Sequence, residues 1–170
     1  MAIGAGTGTR AGAGAATAPG LGSYILFVVA GTTYALPTSD VRHMEMVEDI
    51  TRVPNAPSFV DGVVFSRGQV VPVVNLRARF GFERAPFDLR TRLVVVQAAG
   101  RVLGLVVDAA REFMSIPPEA IQPPHEALAG MSGRYVEGVA SIGDRLILIL
   151  NLERILNFGE PLPGDAALRT

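Results

Sequence analysis

The side chains best equipped for chemistry are few in this chain, and none comes with the companions its chemistry needs. Cysteine is absent, which removes thiolate nucleophiles, thiolate metal sites and disulfides together. The two histidines, His43 and His125, have neither a second histidine nor a carboxylate at a recognisable metal-ligand spacing, so both read as structural or solvated rings. Ser66 precedes Arg67-Gly68 instead of sitting in a G-x-S-x-G elbow, and no acid–base pair is evident beside it. Asp61 and Glu137 occupy matching points of an internal repeat and read as solvated strand positions rather than paired acids. Gly6-Thr7-Gly8-Thr9-Arg10-Ala11 satisfies G-x-G-x-x-A. No strand precedes it and no periodic helix follows, so low complexity explains it better than a dinucleotide site. Nothing here implies a metal or a cofactor. Arg67 differs because its position is unusual: it stands at the tip of an apolar hairpin, where it is either a solvated turn arginine or a guanidinium that meets a carboxylate or backbone carbonyl of a partner.

The stretch that positions Arg67 runs from Phe59 to Gly81, FVDGVVFSRGQVVPVVNLRARFG. Its two apolar runs are joined by Ser66-Arg67-Gly68, a hairpin signal. Asn75 then caps a helical turn over Leu76 to Phe80, and Gly81 closes it in a left-handed conformation. Other short apolar runs fill the rest of the chain. YILFVVA from Tyr24 turns at Gly31 into Tyr34-Ala35-Leu36-Pro37, and Thr38 to Met46 fits a half-exposed strand. Leu93–Val96, Val102–Val107, Ala110–Ile116 and the hairpin Tyr135–Leu150 follow, with proline-rich connections at Val53–Pro57 and Pro117–Pro124.

With 170 residues, 49% of them hydrophobic, the chain can bury a core. Its 15 basic and 16 acidic residues give a net charge of -1, which argues against a general attraction to nucleic acid or to an anionic membrane surface. No apolar run approaches the roughly 20 residues that cross a bilayer. The absence of cysteine fits a cytoplasmic setting, and no direct membrane insertion is expected. Residues 1–22, nearly all glycine, alanine and threonine, are expected to be a disordered tail, and residues 159–170 a polar one.

YVEGVASIGDRLILILNLERIL aligns without a gap beneath FVDGVVFSRGQVVPVVNLRARF, so that Val60, Gly62, Asn75 and Leu76 meet Val136, Gly138, Asn151 and Leu152, 76 residues on. A second register, offset by 69, sets Ala30-Gly31 on Ala99-Gly100 and Leu36 on Leu105. The chain is thus a duplication of short strands, and its expected fold is all-β: two packed five-stranded antiparallel barrels with short helical turns. The first barrel is expected mainly in residues 23–90 and the second mainly in 91–158, with terminal elements open to exchange between them. Gly62 and Gly138 read as bulges or tight barrel bends. Leu146–Leu150 is apolar on both faces, so its second face must also be covered, chiefly by packing between the barrels.

The same segments resemble the CheW family of chemotaxis coupling proteins. V-D-G-V-V-F-S-R-G-Q-V-V-P-V-V-N-L-R is similar to that family's signature, G-V-x-N-L-R-G-x-V-x-P-V-x-D-L-R, and the similarity extends through Gly104–Asp108, Ile116–Ile121 and Val136–Asn151. The resemblance implies SH3-like barrels and a non-catalytic adaptor. Such an adaptor couples the regulatory domain of a CheA-type histidine kinase to the cytoplasmic tip of methyl-accepting chemotaxis receptors, and joins other CheW-like proteins in array rings. It also implies partner contacts at Arg67 and Gly68, at Val41 and His43 on one strand, and at Thr91 and Arg92 near the inter-barrel groove that takes the receptor tip. Phe65-Ser66 stands where Asn-Leu is usual, Asn75 replaces the common Asp, and His43 stands where an acid is common. No receiver-like or kinase sequence follows Leu156 in this chain, so neither a CheV-type fusion nor a complete kinase is expected. The alternatives are a CheW-like regulator that binds one of these partners alone, and a small-molecule-binding β-barrel or an unrecognised enzyme.

Overall fold

The computed structural model describes residues 22–124 and 132–157; both expected tails, but for Gly22, and His125 lie outside the described residues. The described chain forms eleven strands and two short α-helices: β1 (Ser23–Val29), β2 (Thr32–Pro37), β3 (Val41–Met46), β4 (Val60–Ser66), β5 (Gln69–Asn75), α1 (Leu76–Arg79), β6 (Arg92–Ala98), β7 (Arg101–Val107), β8 (Ala109–Ser115), β9 (Ile121–Gln122), β10 (Val136–Ile142), β11 (Arg145–Leu150) and α2 (Leu152–Leu156). The strands are short because β-branched runs are cut by turn residues. Ala30-Gly31, Arg67-Gly68 and Ala99-Gly100 all have positive φ, at 50° and 81°, 48° and 84°, and 51° and 75°. That conformation joins adjacent strands while following their twist.

The strands form a six-stranded sheet in the order β8-β1-β2-β11-β10-β9 and a five-stranded sheet in the order β3-β6-β7-β5-β4. Ladders are antiparallel except for β2 with β11 and β5 with β7, which are parallel. Relative to the halves expected mainly at 23–90 and 91–158, the two sheets exchange elements, as the sequence left open. The five-stranded sheet spans Val41 to Val107, while β1 and β2 join β8 to β11. In repeat terms, each sheet combines the first hairpin of one copy with the last three principal strands of the other. The local cause is the connection after each first hairpin. Pro37 lacks an amide donor and leads into a 3-10 turn at Thr38–Asp40 rather than a hairpin turn, so β3 is delivered to the other sheet. Asp108 makes the return crossing: its N–H donates to the Val28 carbonyl (2.9 Å) and its carboxylate accepts from Ala30 N (2.8 Å) and, bidentately, from Arg77 (2.8 and 2.9 Å).

The exchange wraps both sheets around one shared core. Phe27, Tyr34 and Leu36 from the six-stranded sheet meet Val94, Leu103 and Leu105 from the five-stranded one. An aromatic ladder runs through this core from Phe27 to Tyr34 to Phe80 to Tyr135, with ring centroids 6.4, 5.1 and 5.4 Å apart. Each sheet also curls around a smaller core of its own, one including Leu26, Ile116 and Ile147, the other Val64, Val73 and Leu93. The doubly apolar β11 serves both: Ile147 and Ile149 fill its own barrel, and Leu148 and Leu150 enter the shared core.

Both repeat glycines lie at register shifts, Gly62 between β4 and β5 and Gly138 between β10 and β11. At Gly62, φ is 141° and a Cβ would lie 2.1 Å from the Thr51 carbonyl oxygen. Thr51 and Val63 exchange backbone hydrogen bonds of 2.8 Å here. Gly62→Ala is therefore expected to cost about 3 kcal/mol or more, because the carbonyl must move and the bridge must break. Gly68→Ala, with φ of 84° and nothing within 4 Å of the added methyl, should cost only about 1 kcal/mol. Urea denaturation of the two variants tests the contrast.

Candidate partner-binding site

The hairpin that carries Arg67 is fixed at its foot by a device used twice. Asn75 caps α1 by accepting from Ala78 N (3.2 Å), and its amide donates to Asp61 (3.0 Å). Asn151 caps α2 by accepting from Arg154 N (3.0 Å), and donates to Glu137 (3.0 Å). The repeat-related acids are thus not idle solvated groups but orient the cap amides, and Asp61 also pairs with Arg84. An open groove of about 550 Å³ beside Ile50–Asp61 and Arg84–Phe87 contains that ion pair. Arg79 joins the two capped turns: its guanidinium lies 4.5 Å from the Phe59 ring centroid and 4.8 Å from that of Tyr135, and Nε donates to the Ile155 carbonyl (2.8 Å). Asn75→Ala should cost about 1–2 kcal/mol, since it removes a cap and leaves Asp61 short of a donor; thermal unfolding measures it.

At the free end, Arg67 is exposed and among the described residues donates no hydrogen bond. Gly68 follows it in the left-handed region, as the turn requires. Phe65 and Val70, directly opposite each other on β4 and β5, are 75% and 61% exposed. A guanidinium is therefore displayed above an uncovered apolar pair, on backbone held by paired strands.

His43 and Glu45 reach this tip from β3. Ser66 is buried, and its hydroxyl donates to Glu45 Oε2 at 2.6 Å; His43 Nε2 meets the same oxygen at 2.6 Å and lies 3.5 Å from the Ser66 Oγ. The sequence expectation that no acid–base pair stands near Ser66 is corrected, but the geometry is not that of a nucleophile. Serine and imidazole both address one carboxylate oxygen, whereas an activated serine gives its proton to an imidazole oriented through its other nitrogen. The Ser66 hydrogen bond above all, helped by His43 and by the nearby positive charge of Arg67, holds the Glu45 carboxyl below the usual range against partial burial. The sequence carried a signal for this cluster: residues two apart on a strand share a face, so His43 and Glu45 had to point the same way.

The other expected contacts are placed differently. Val41 is half-buried and packs against the shared core. Thr91 is buried; its N–H donates to the Asp88 carbonyl (3.1 Å) and its hydroxyl accepts from Asp88 N (2.9 Å). Arg92, opposite Met46 of β3, donates to the Leu89 and Thr91 carbonyls at 2.7 and 2.9 Å. Together Thr91 and Arg92 fasten a turn that leaves Leu89 83% exposed. Arg67, Gly68 and His43 are brought together at the hairpin tip, Thr91 and Arg92 at this turn, and Val41 to neither. Sequence reading missed Glu45, Phe65, Val70 and Leu89 as members of these surfaces.

Two interlocked barrels that display a guanidinium and uncovered apolar side chains on stiff turns define a protein-binding module. The CheW-like domain profile matches residues 23–160, and the chain belongs to that family. It is 33% identical over 135 residues to the chemotaxis protein CheW of Helicobacter pylori, covering 78% of this chain and 80% of that one. To protein FrzA of Myxococcus xanthus it is 31% identical over 136 residues, covering 78% and 84%. The crystal structure of the scaffolding protein TtCheW from Thermoanaerobacter tengcongensis superposes with a TM-score of 0.75 at 30% identity, over 81% of this chain and 93% of that one. The two sheets are accordingly SH3-like barrels, and the chain is a chemotaxis coupling adaptor.

Proposed function

We propose that this adaptor binds the regulatory domain of a CheA-type histidine kinase through the Arg67-Gly68 tip and the cytoplasmic tip of methyl-accepting chemotaxis receptors through a second surface, without catalysing a reaction. The observation that carries the reading is the display of Arg67 over the exposed Phe65–Val70 pair in a chain of this family. His43 supports the first surface from β3. Thr91 and Arg92 serve the second by fastening the turn that presents Leu89, and Val41 backs β3 from the core side. Other CheW-like proteins are further partners in array rings. The setting that follows is cytoplasmic, at receptor arrays. The net charge of -1 offers no general attraction to nucleic acid, and no helix among the described residues is long and apolar enough to cross a membrane.

Calorimetric titration of the kinase regulatory domain and of a receptor-tip fragment, each separately into the full chain, tests this. Binding of both is expected. Binding of one alone would identify a regulator of that partner, and binding of neither would overturn the assignment of partners.

A further inference from the structure

The repeat makes the two barrel mouths equivalent, yet they are plugged with opposite chemistry. Met46 and Glu45 lie opposite Arg92 and Leu93, as Ser115 and Met114 lie opposite Ser23 and Tyr24. Glu45 thus corresponds to Met114, and Ser66, 76 residues before it, to Ile142. Met114 and Ile142 pack against the inner core of the six-stranded sheet. At the same place the five-stranded sheet has a carboxylate, a hydroxyl and an imidazole centred on one oxygen. The fold closes this mouth with apolar side chains when nothing else is asked of it, so the polar plug answers another need.

That need is next door. Ser66 is the residue before Arg67, and Glu45 ties it to β3, the strand at the other end of the sheet order from β4. The tip is therefore tethered across the barrel mouth and not only along its own hairpin. We propose that Glu45, with Ser66 and His43, is a positioning device that fixes the Arg67 tip for partner recognition and makes its presentation respond to protonation of His43. This rests on the reading of Arg67 as a partner contact. The charged group that meets the imidazole is Glu45 on its own strand, and Arg67 acts on that same carboxylate from the tip; Leu93 and Val95, opposite on β6, carry no charge. A proton on His43 offsets the Glu45 charge that Arg67 otherwise faces, and so changes the local field at the tip.

Two experiments on the full chain test the device. In a nitrogen-15 NMR pH titration, the amides of Ser66, Arg67 and Gly68 should shift with the same midpoint as the His43 ring, and Glu45→Gln or Ser66→Ala should abolish that coupling. Amides that ignore His43, or coupling that survives both substitutions, would overturn the proposal. In calorimetry with the kinase regulatory domain, Glu45→Met with Ser66→Ile, the residues of the repeat, should weaken binding about tenfold in a folded protein; unchanged affinity would equally overturn it. Should that double variant fail to fold, Ser66→Ala carries the test through the NMR readout alone. Arg67→Glu is the control: where it weakens binding, an unchanged affinity in the double variant overturns the device; where it leaves affinity unchanged, the reading of Arg67 as a partner contact fails, and the tie from His43 and Glu45 to the tip is judged by the amide coupling alone.

Discussion

Replacing Arg67 by glycine is expected to weaken binding to a kinase regulatory domain by roughly ten- to a thousandfold while leaving the adaptor at least as stable as before. The residue sits at φ 48°, a region that costs an ordinary side chain about 1 kcal/mol relative to glycine. It donates no hydrogen bond among the described residues that would repay this. The repeat has Gly143 at the equivalent tip, with φ 62°. Positive φ alone is no sign of function, because Ala30 and Ala99 share it at 50° and 51°. What sets Arg67 apart is the combination of left-handed backbone, full display and the exposed pair Phe65 and Val70 alongside. Arg67→Glu should lose still more affinity, since it reverses the charge offered to the partner without a core contact to lose. Calorimetric titration for affinity and urea denaturation for stability separate the two effects; a large loss of stability in Arg67→Gly would contradict this account.

Phe80→Ala should have the largest effect on the fold, about 3–5 kcal/mol. Phe80 follows α1 and is fully buried, with its ring 5.1 Å from Tyr34 and 5.4 Å from Tyr135. Its loss opens a cavity where the two sheets and both capped turns meet, and the surrounding aromatics cannot collapse into it without leaving their own partners. Because the shared core belongs to both sheets, the destabilised variant is expected to melt in one calorimetric transition at a lower temperature. Two separated transitions would show that the barrels hold together independently. Ile147→Val, confined to the smaller core of one sheet, should cost only about 1 kcal/mol.

The strands, the duplication and the caps were legible in the sequence because each rests on local chemistry. Apolar runs between turn residues read as strands, and an asparagine before Leu76 or Leu152 reads as a cap. The role of Asp61 and Glu137 was not legible: a carboxylate on a strand looks the same whether solvated or holding a cap amide fourteen residues away. Sheet membership was hidden for another reason. β2 and β7 look alike because they are repeat copies, and each meets its parallel neighbour, β11 or β5, only through long-range pairing. At the site, Arg67 stood out by position. Glu45 did not, because its importance comes from Ser66, twenty-one residues away. Phe65 and Val70 looked like ordinary strand residues until their faces were seen to be uncovered.

The exchange of first hairpins sets an order on synthesis. β1 and β2 leave the ribosome first, but their sheet neighbours β8 and β11 begin at residues 109 and 145. All five strands of the other sheet lie between Val41 and Val107, so that sheet can pair while the first hairpin still waits. The waiting hairpin carries Ile25, Phe27, Tyr34 and Leu36, side chains that end fully buried. During translation it is a sticky, incomplete edge, and a second nascent copy nearby offers the same missing strands as its own chain will.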